Sequence, residues 1–325
     1  VPGISPAKAK KIKKVGVIGC GTMGGGILMN FVQIGIPVVV LESKQEFLDN
    51  GMAIIRRNWM SSVKKRKLSP TTFEKYMSMI KPTTQYKDFS DVDLVIEAVF
   101  ENMKIKKEVF RNLDAVCKPS CILATNTSFL DVGEIAKSTS RPQKVVGTHF
   151  FAPANVMQLL ENVRHPGTDE ETIATVQELA KQIKKKGVLV KVCEGFVGNR
   201  MFGVEQIEVL RVVLEGATPQ QVDSVMYKFG WAMGPFQVGD LSGNDIGYRR
   251  RDELGLVEKP FNGPLGEYSP FFVTDNLVKQ YNRLGLKTGK GWYDYEDGQR
   301  KPIPSKQVEE LIIASSKERG ITRRK

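Results

Sequence analysis

The stretch KKVGVIGCGTMGGGILMNFVQIGIPVVVLES, residues 13–43, decides the fold. A short β-branched run, VGVI, is followed at once by Gly19, Gly21 and Gly24 in the spacing GxGxxG, and apolar residues then recur at intervals of three to four. This pattern predicts a buried strand, a tight turn and a helix, and PVVVLE predicts a second strand that ends at Glu42. Strand, turn, helix and strand in this order are typical of a dinucleotide-binding unit.

The residues of the turn each have a physical role in binding a dinucleotide. Gly19 permits the tight turn, Gly21 lets the backbone approach a pyrophosphate, and Gly24 lets the helix pack closely on the strand. The first helical residues, Thr22 and Met23, lie where unpaired N–H groups of a helix N-terminus supply donors for phosphates. We therefore predict that these five residues contact the cofactor.

The carboxylate of Glu42 distinguishes between the two nicotinamide dinucleotides. At the end of the second strand it can accept hydrogen bonds from both ribose hydroxyls of the adenosine, and it would repel a 2′-phosphate. The sequence therefore predicts NAD rather than NADP. The alternative is a glycine-rich turn that binds no ligand.

Strand and helix patterns alternate beyond this unit. Helical patterns cover residues 46–67, 103–116 and 169–185, and the capping-box pair Thr168 and Glu171 marks the start of the last one. Such alternation predicts an α/β fold with a Rossmann-like, doubly wound and mostly parallel sheet. The further predicted strands are DLVIEAVF (93–100), CILATNT (121–127), KVVGTHFF (144–151) and GVLVKV (187–192).

His149 is the candidate for proton transfer, since the chain has only two histidines and His165 lies in the loop-like RHPG. Ligands of such sheets bind beyond the carboxyl ends of the strands, where Glu101, Ser128 and His149 fall. Glu161 follows His149 by twelve residues, which is far enough for a chain reversal to return its carboxylate to the imidazole. A carboxylate partner fixes the tautomer and stabilises the imidazolium, as a general base requires. The alternative is a packed core imidazole.

The composition restricts the possible partners. The net charge is +12, with basic runs at residues 8–14, 64–67, 184–186 and 249–251. Such a surface attracts polyanions, either nucleic acid or a phosphorylated cofactor or substrate carrier. The sequence holds no zinc-finger spacing, aromatic RNA-binding signature or leucine heptads, so nucleic acid is disfavoured. We interpret each basic run, taken alone, as a solvated face.

Metals, disulfides and membrane spans are not predicted. The pair in CKPSC has no nearby histidine or second pair to complete a zinc site, so we expect reduced thiols and no metal. No apolar run is long enough to cross a bilayer, and the N-terminal stretch lacks the apolar segment of a signal peptide. The four cysteines are Cys20, Cys117, Cys121 and Cys193.

Seven ordered motifs resemble those of the L-3-hydroxyacyl-CoA dehydrogenases, over residues 13–300. The resemblance implies NAD-dependent oxidation of L-3-hydroxyacyl-CoA to 3-ketoacyl-CoA. VGTHFFAPANVM and CEGFVGNRM favour the dehydrogenase part of the peroxisomal multifunctional enzymes of fatty acid β-oxidation, which also carry an enoyl-CoA hydratase part. The seven motifs are GCGTMGGGI, IEAVFEN, ATNTS, GTHFFAP, GFVGNR, MGPF and KTGKGWYDY.

The resemblance implies catalytic roles for four residues. His149 takes the proton of the substrate 3-hydroxyl as hydride leaves C3 for the nicotinamide, and Glu161 orients the imidazole. Ser128 and Asn199 hydrogen-bond the reacting oxygen and the acyl thioester region.

The resemblance also implies binding roles. Glu101 and Lys106 line the nicotinamide ribose side, and Lys287 lies near the cofactor. On the predicted helix that precedes residue 68, Asn58 and Lys65 contact coenzyme A, and the run KKRK there suits a carrier with several phosphate charges.

Two positions depart from the family's pattern. Ala152 stands where single-function members usually have Asn, so one hydrogen bond near the nicotinamide is expected to be missing or replaced. Phe129 stands where a second Ser or Thr is usual. We expect it to alter the acyl-chain preference and to leave the four reacting positions intact.

Four segments are predicted. They are a basic linker (1–12), an NAD-binding domain (13–192), a helical C-terminal domain for substrate binding and dimerisation (193–300) and a linker or tail (301–325). The helix candidate at 196–216 is apolar on all sides, which predicts an interface with a second copy or with a partner domain in the full-length enzyme. We expect no membrane span.

The ends of the sequence, its basic composition and the family resemblance lead to expectations about its origin, its location and its possible functions. No hydratase sequence precedes residue 1 and the final RRK is no peroxisomal address, so we expect an excised central part of a multifunctional enzyme. The family places it in the peroxisome, and otherwise the mitochondrion or cytoplasm stays open. Two other functions also stay open: an NAD-dependent dehydrogenase of a hydroxyacid without coenzyme A, and a basic module that binds polyanions.

Overall fold

The computed structural model describes residues 9–257, 271–297 and 299–324. The chain divides into two compact units, with the division between Arg200 and Met201. The sequence also predicts a loop around residues 263–270; this segment and most of the predicted linker 1–12 lie outside the described residues. None of the helices in the described ranges combines the length and the apolar character needed to span a bilayer.

The first unit contains one sheet, whose eight strands are β1 (Val15–Ile18), β2 (Val38–Leu41), β3 (Ile80–Thr83), β4 (Leu94–Glu97), β5 (Ile122–Thr125), β6 (Val145–Phe150), β7 (Leu159–Arg164) and β8 (Lys186–Lys191). Their spatial order is β3-β2-β1-β4-β5-β6-β7-β8. Each neighbouring pair is parallel except β6 and β7, which are antiparallel. The central strands are buried along their whole length, which explains why they consist of nearly continuous apolar runs.

Six helices of this unit cover both faces of the sheet. Val38 and Val40 of β2 belong to one hydrophobic cluster, and Val39 and Leu41 belong to the other, because successive side chains point to opposite faces. The helices are α1 (Thr22–Gln33), α2 (Gln45–Lys64), α3 (Pro70–Ser78), α4 (Met103–Val116), α5 (Val132–Ala136) and α6 (Glu170–Gln182). The predicted Rossmann-like, doubly wound and mostly parallel fold is confirmed.

The sequence patterns do not predict β3 and β7. The motif IKPT of β3 mixes a charge and a proline with two buried residues, and LLENVR of β7 carries Glu161 and Asn162 inside an otherwise apolar run. Both strands are specified by their neighbours in the sheet rather than by their own alternation.

The predicted capping box of α6 is wrong. Asp169 caps the helix, and its carboxylate accepts a hydrogen bond from the amide of Thr172 at 2.7 Å. The hydroxyl of Thr168 instead donates to the carbonyl of Val145 at 3.0 Å, and Glu171 pairs with Lys10 and Lys144. An aspartate in the same turn therefore replaces the threonine as the cap.

The second unit is helical, as predicted. Its elements are α7 (Gly198–Leu214, which starts in the first unit), α8 (Pro219–Phe229), α9 (Pro235–Ser242), α10 (Asn244–Glu253), α11 (Phe272–Lys279), α12 (Lys306–Glu318) and a hairpin of β9 (Tyr293–Asp294) and β10 (Ile303–Pro304). Its core includes residues of α7, α8, α11 and α12.

Residues 301–325, predicted as a linker or tail, require a correction. Within this segment, α12 packs Val308 and Ile312 into the core of the second unit. The guanidinium of Arg323 donates to the carbonyl of Val213 at 2.7 Å. A polar and basic composition concealed one apolar stripe of an amphipathic helix, which is why the sequence suggested a tail.

Candidate active site

His149 and Glu161 lie opposite each other on β6 and β7, in register. The distance from His149 Nδ1 to Glu161 Oε2 is 2.7 Å, and both side chains are buried. The carboxylate accepts the Nδ1 proton, which leaves the lone pair of a neutral imidazole on Nε2. Within the described ranges, Nε2 has no hydrogen-bond partner. The ring is therefore set to receive a proton at Nε2.

The second carboxylate oxygen of Glu161 fixes the start of α7. Glu161 Oε1 accepts hydrogen bonds from the amides of Val197 at 2.9 Å and Gly198 at 2.8 Å. Burial disfavours the charge, but the hydrogen bonds from His149 and from these amides outweigh it and hold the pKa of the Glu161 carboxyl below its usual range. The residue is thus an ionised anchor for both the imidazole and the segment that carries Asn199.

Two aromatic rings hold the His149 imidazole. The Phe151 ring lies 4.4 Å and the Phe196 ring 5.7 Å from it, measured between centroids. Phe196 is buried and has a φ of +47°, a conformation that is strained for a bulky residue. The turn that contains it directs the two amides of residues 197 and 198 at Glu161.

The other histidine, His165, is held by backbone groups. Its Nε2 lies 2.9 Å from the carbonyl of Pro142, and its Nδ1 accepts from the amide of Gly167 at 3.1 Å. Both ring nitrogens are therefore engaged in a neutral, buried imidazole. This geometry favours a structural role.

Glu101 shapes the turn that carries Ser128. Its Oε1 accepts from the hydroxyl of Thr127 at 2.5 Å and from the amides of Ser128 at 2.8 Å and Phe129 at 3.1 Å. Ser128 is half-buried and follows the end of β5, next to the strand that carries His149. Both predicted residues thus lie at the carboxyl edge of the sheet.

Lys106 is buried between two carboxylates. Its Nζ lies 2.6 Å from Glu97 Oε1 and 3.3 Å from Glu101 Oε2, and the exposed fractions of the Lys106 and Glu97 side chains are 1% and 0%. Glu97 Oε2 also accepts from the hydroxyl of Thr125 at 2.7 Å. The sequence reasoning missed Glu97, although an acidic residue inside the apolar run DLVIEAVF is a usable signal. The role of Lys106 at the ribose stays a prediction.

The glycine turn has the shape that a dinucleotide requires. Gly19 has a φ of +94°, and a Cβ on Gly24 would lie 1.9 Å from the carbonyl oxygen of Gly19. A Cβ on Gly21 would meet nothing within 4 Å, so the backbone there is open to a ligand. No side chain caps α1, which begins at Thr22, so its first N–H groups remain available to a phosphate.

Glu42 lies directly after β2, at the same edge as the turn. Its Oε2 accepts from the amide of Cys20 at 3.0 Å, and its Oε1 accepts from the amide of Ser43 at 2.8 Å. Burial and the charge of Glu42 raise the pKa of the Cys20 thiol to about 12, so the thiol is inert. The carboxylate is half-buried, and its role as a ribose ligand stays a prediction.

The remaining predicted residues are Asn199, Asn58, Lys65 and Lys287. Asn199 is half-buried in the first turn of α7, and Asn58 and Lys65 are exposed on α2 and just after it. Lys287 belongs to the second unit, where its ammonium pairs with the Asp245 carboxylate. Their contacts with ligands stay predictions. In the described residues no group of three or more His, Cys, Asp or Glu side chains is arranged to hold a metal.

The site combines a dinucleotide turn with a base held in one tautomer at the same edge of a mostly parallel sheet, as a nicotinamide-dependent dehydrogenase of hydroxyl groups can use. The fold and site define this class of protein. Residues 14–193 match the model of the 3-hydroxyacyl-CoA dehydrogenase NAD binding domain, and residues 195–295 match that of the C-terminal domain. The chain therefore belongs to the 3-hydroxyacyl-CoA dehydrogenase family, and the predicted family and NAD-binding domain are confirmed.

Individual relatives agree with the family models. The chain is 44% identical over 301 residues to the peroxisomal bifunctional enzyme of Cavia porcellus, covering 89% of this chain and 40% of that protein. Its fold matches (S)-3-hydroxybutyryl-CoA dehydrogenase PaaH1 from Ralstonia eutropha with a TM-score of 0.79 and 33% identity, over 88% of this chain and 100% of that chain. It also matches the dehydrogenase part of multifunctional enzyme 1 from C. elegans, with a TM-score of 0.68 and 29% identity, over 97% and 69%. The chain spans less than half the length of the curated relatives it matches.

Proposed function

We propose that the protein oxidises L-3-hydroxyacyl-CoA thioesters to 3-ketoacyl-CoA with NAD. The observation that carries the proposal is the hydrogen-bonded pair of His149 and Glu161 at the edge where the glycine turn and the Ser128 turn also end. The solved relative PaaH1, which is titled a 3-hydroxybutyryl-CoA dehydrogenase, is matched over its whole length and supports this substrate class.

His149 acts as the general base in this reaction. NAD, when bound, accepts the hydride from C3 of the substrate. Nε2 of His149 takes the proton of the 3-hydroxyl, so that the C–O bond becomes a carbonyl, and the Glu161 carboxylate stabilises the imidazolium that forms. The buried position of both side chains strengthens this electrostatic effect because water does not screen it.

Ser128 and Asn199 complete the proposed reaction site. Both carry a short polar side chain, both are half-buried, and both follow a backbone segment fixed by a carboxylate, Glu101 in one case and Glu161 in the other. A hydroxyl and an amide held in this way can donate hydrogen bonds to the substrate oxygens, where charge develops during reduction of the ketone.

The exposed end of α2 is the proposed coenzyme A surface. Asn58, Lys65 and the rest of the run 64–67 are exposed there. Flexible ammonium groups at a surface attract phosphates without being committed to internal ion pairs. No ion pair of residues 64–67 occurs in the described part of the chain, which supports their availability.

The proposal is tested by stopped-flow reduction of acetoacetyl-CoA with NADH. We expect NADH oxidation that His149→Gln abolishes almost entirely. Absence of NADH oxidation by the wild-type protein contradicts the proposal. Acetoacetate is compared in parallel, because equal rates with and without coenzyme A would favour a dehydrogenase of free hydroxyacids. RNA binding that falls steeply with salt and does not respond to NADH would favour the polyanion-binding alternative.

The apolar surface of the second unit leads to a proposal about assembly. Met201 and Val204 of α7 are 71% and 63% exposed, and Phe229 at the end of α8 is 81% exposed. We propose that a second copy, or a further domain of a longer chain, covers this surface. Light scattering over a dilution series tests it: a stable, active monomer of this chain at low micromolar concentration contradicts the proposal.

We also propose that the chain is the dehydrogenase part of a longer peroxisomal enzyme with an enoyl-CoA hydratase part. The support is the similarity to proteins named peroxisomal bifunctional enzymes, of which the chain spans 40%. An antibody to this chain should detect a protein of roughly twice its mass in the peroxisomal fraction, together with hydratase activity after immunopurification. A protein of the size of this chain in another fraction contradicts the proposal.

A further inference from the structure

Lys185 is a buried lysine in the middle of a run of three. It lies in the link between α6 and β8 and is 9% exposed, whereas Lys184 and Lys186 are exposed. Its Nζ donates to the carbonyls of Ala154 at 2.8 Å and Met157 at 2.6 Å. No carboxylate of the described residues lies within ion-pair distance of it. The interpretation of the whole run as a solvated face is therefore wrong at its central residue.

The burial of this ammonium has a cost. Removal of a cation from water without a carboxylate partner is unfavourable, and burial accordingly lowers the pKa of Lys185. Two backbone carbonyls replace part of the lost hydration. An apolar residue of similar length would avoid the desolvation but would leave the buried Ala154 carbonyl and the partly buried Met157 carbonyl without this donor.

The two carbonyls belong to the segment that joins the halves of the His149–Glu161 pair. This segment, residues 151–158, is called the connector below; it leads from β6 to β7. It begins with Phe151, whose ring packs on His149, and continues with Ala152, which we predict to lie near the nicotinamide. A shift of the connector would therefore alter the surroundings of the base.

The connector is also fixed by α1, the helix of the dinucleotide turn. Asn30 Nδ2 donates to the carbonyl of Ala154 at 3.2 Å, so that one oxygen accepts from both Asn30 and Lys185. A Cβ on Gly26 would lie 3.1 Å from Ala154 Cβ, which shows how closely the helix and the connector approach. Lys185 therefore helps to hold the connector, which contacts His149 through Phe151, against α1, the helix of the dinucleotide turn.

We propose that Lys185 is a positioning residue for the dehydrogenase reaction: it clamps the connector against α1 and so fixes the nicotinamide end of the cofactor site relative to His149. The inference rests on the proposed function. Because the clamp acts on geometry, it also has an effect that does not require turnover, namely on the environment of a bound nicotinamide.

The test compares Lys185→Met with Lys186→Met, a matched control one residue away on the exposed start of β8. We expect Lys185→Met to lower kcat with acetoacetyl-CoA by roughly 10- to 100-fold, the effect of a misplacement of up to about 1 Å. The Kd of NADH, set mainly by the adenosine and pyrophosphate contacts, should change less than about threefold, or roughly 0.6 kcal/mol. The fluorescence lifetime of bound NADH should change in Lys185→Met and not in the control.

The fluorescence lifetime of bound NADH distinguishes the clamp proposal from the dehydrogenase proposal. If the wild-type protein does not turn over but the lifetime changes as expected, the dehydrogenase proposal fails while the clamp stands. An unchanged lifetime and an unchanged kcat per NADH-binding site overturn the clamp, even if Lys185→Met unfolds at lower urea concentration, because the role would then be structural only.

If Lys185→Met does not fold, Asn30→Ala tests the clamp instead. It removes the other donor to the Ala154 carbonyl, and we expect a smaller change of kcat and lifetime in the same direction. Where both single variants fold, their double variant should lose less than the product of the single effects, because both act through one acceptor. Wild-type kcat and lifetime in Asn30→Ala overturn the clamp.

Discussion

Lys106 and Glu97 form an ion pair whose Nζ to Oε1 distance is 2.6 Å and whose side chains are almost completely removed from solvent. The pair lies next to Glu101, the carboxylate that holds the Ser128 turn. The ion pair therefore connects the buried interior of the first unit with the Ser128 turn. Its removal should affect both the free energy of unfolding and the rate of the reaction.

Glu97→Gln should lower the free energy of unfolding by about 3 kcal/mol, because it leaves a buried ammonium with one half-exposed partner. Urea denaturation measures the change. Lys107→Met is the control: Lys107 lies on the same helix as Lys106 and pairs with the partly exposed Glu134 of α5, so its removal should lower the free energy of unfolding much less. Equal effects of the two variants would show that the buried ion pair stabilises the fold no more than the exposed one.

His149→Gln should keep NADH binding and reduce kcat by about 10² to 10⁴, the usual effect of losing a positioned base. His165→Gln should retain kcat, although it loses the backbone contacts of the imidazole and should unfold more easily. NADH titration and steady-state rates measure both variants. A larger fall of kcat in His165→Gln than in His149→Gln would mean that His165, and not His149, is the catalytic base.

In the oxidation of a 3-hydroxyacyl-CoA with NAD, for which His149 must start neutral, Glu161→Gln should lower kcat and move the acid limb of the pH–rate profile to lower pH, because a neutral amide does not stabilise the imidazolium. A profile that keeps its position would remove Glu161 from the role of orienting partner.

The same variant tests the linkage between Glu161 and stability. The folded-state pKa of Glu161 is lowered, so its stabilising effect is complete above the unfolded value of about 4.3 and is lost as the pH falls through the folded value. The difference in unfolding free energy between the wild-type protein and Glu161→Gln should therefore be largest near neutral pH and shrink below about pH 4. A difference independent of pH would contradict an ionised Glu161.

Glu42→Ala should narrow the preference for NADH over NADPH, since the variant no longer binds the ribose hydroxyls or repels the 2′-phosphate. Loss of hydrogen bonds to a charged group should weaken NADH binding by roughly 10-fold or more. The Kd values of both nucleotides are measured by fluorescence titration. Asp49→Ala, an exposed position on the following helix, is the control. An unchanged ratio would mean that Glu42 is not the ribose ligand.

Local patterns predicted much of the fold because their signals lie within a few residues. The turn at Gly19 to Gly24 and the helix after it combine spacing, glycine geometry and apolar periodicity in one stretch. Glu161 could be proposed as the partner of His149 since a reversal over twelve residues is short. The strand that carries Glu161 could not be predicted, because its polar residues are satisfied only by its neighbours.

Burial of charge was the least predictable property. Lys185 and Lys106 each occur in basic or charged surroundings in the sequence, and nothing local distinguishes them from their exposed neighbours. Their interior positions follow from the packing of β8 and α4 against the rest of the unit, which is tertiary information.

The antiparallel pairing of β6 with β7 bears on how the protein acquires its site during folding. His149 and Glu161 belong to two strands joined by the short connector 151–158, so that their encounter requires closure of a short loop, with a small entropy cost. The Ser128 turn lies in the parallel crossover between β5 and β6, and contacts of this longer range form more slowly. We therefore expect the His149–Glu161 pair and the Ser128 turn to form in separate steps of folding, so that a mutation that delays the crossover need not disturb the hairpin.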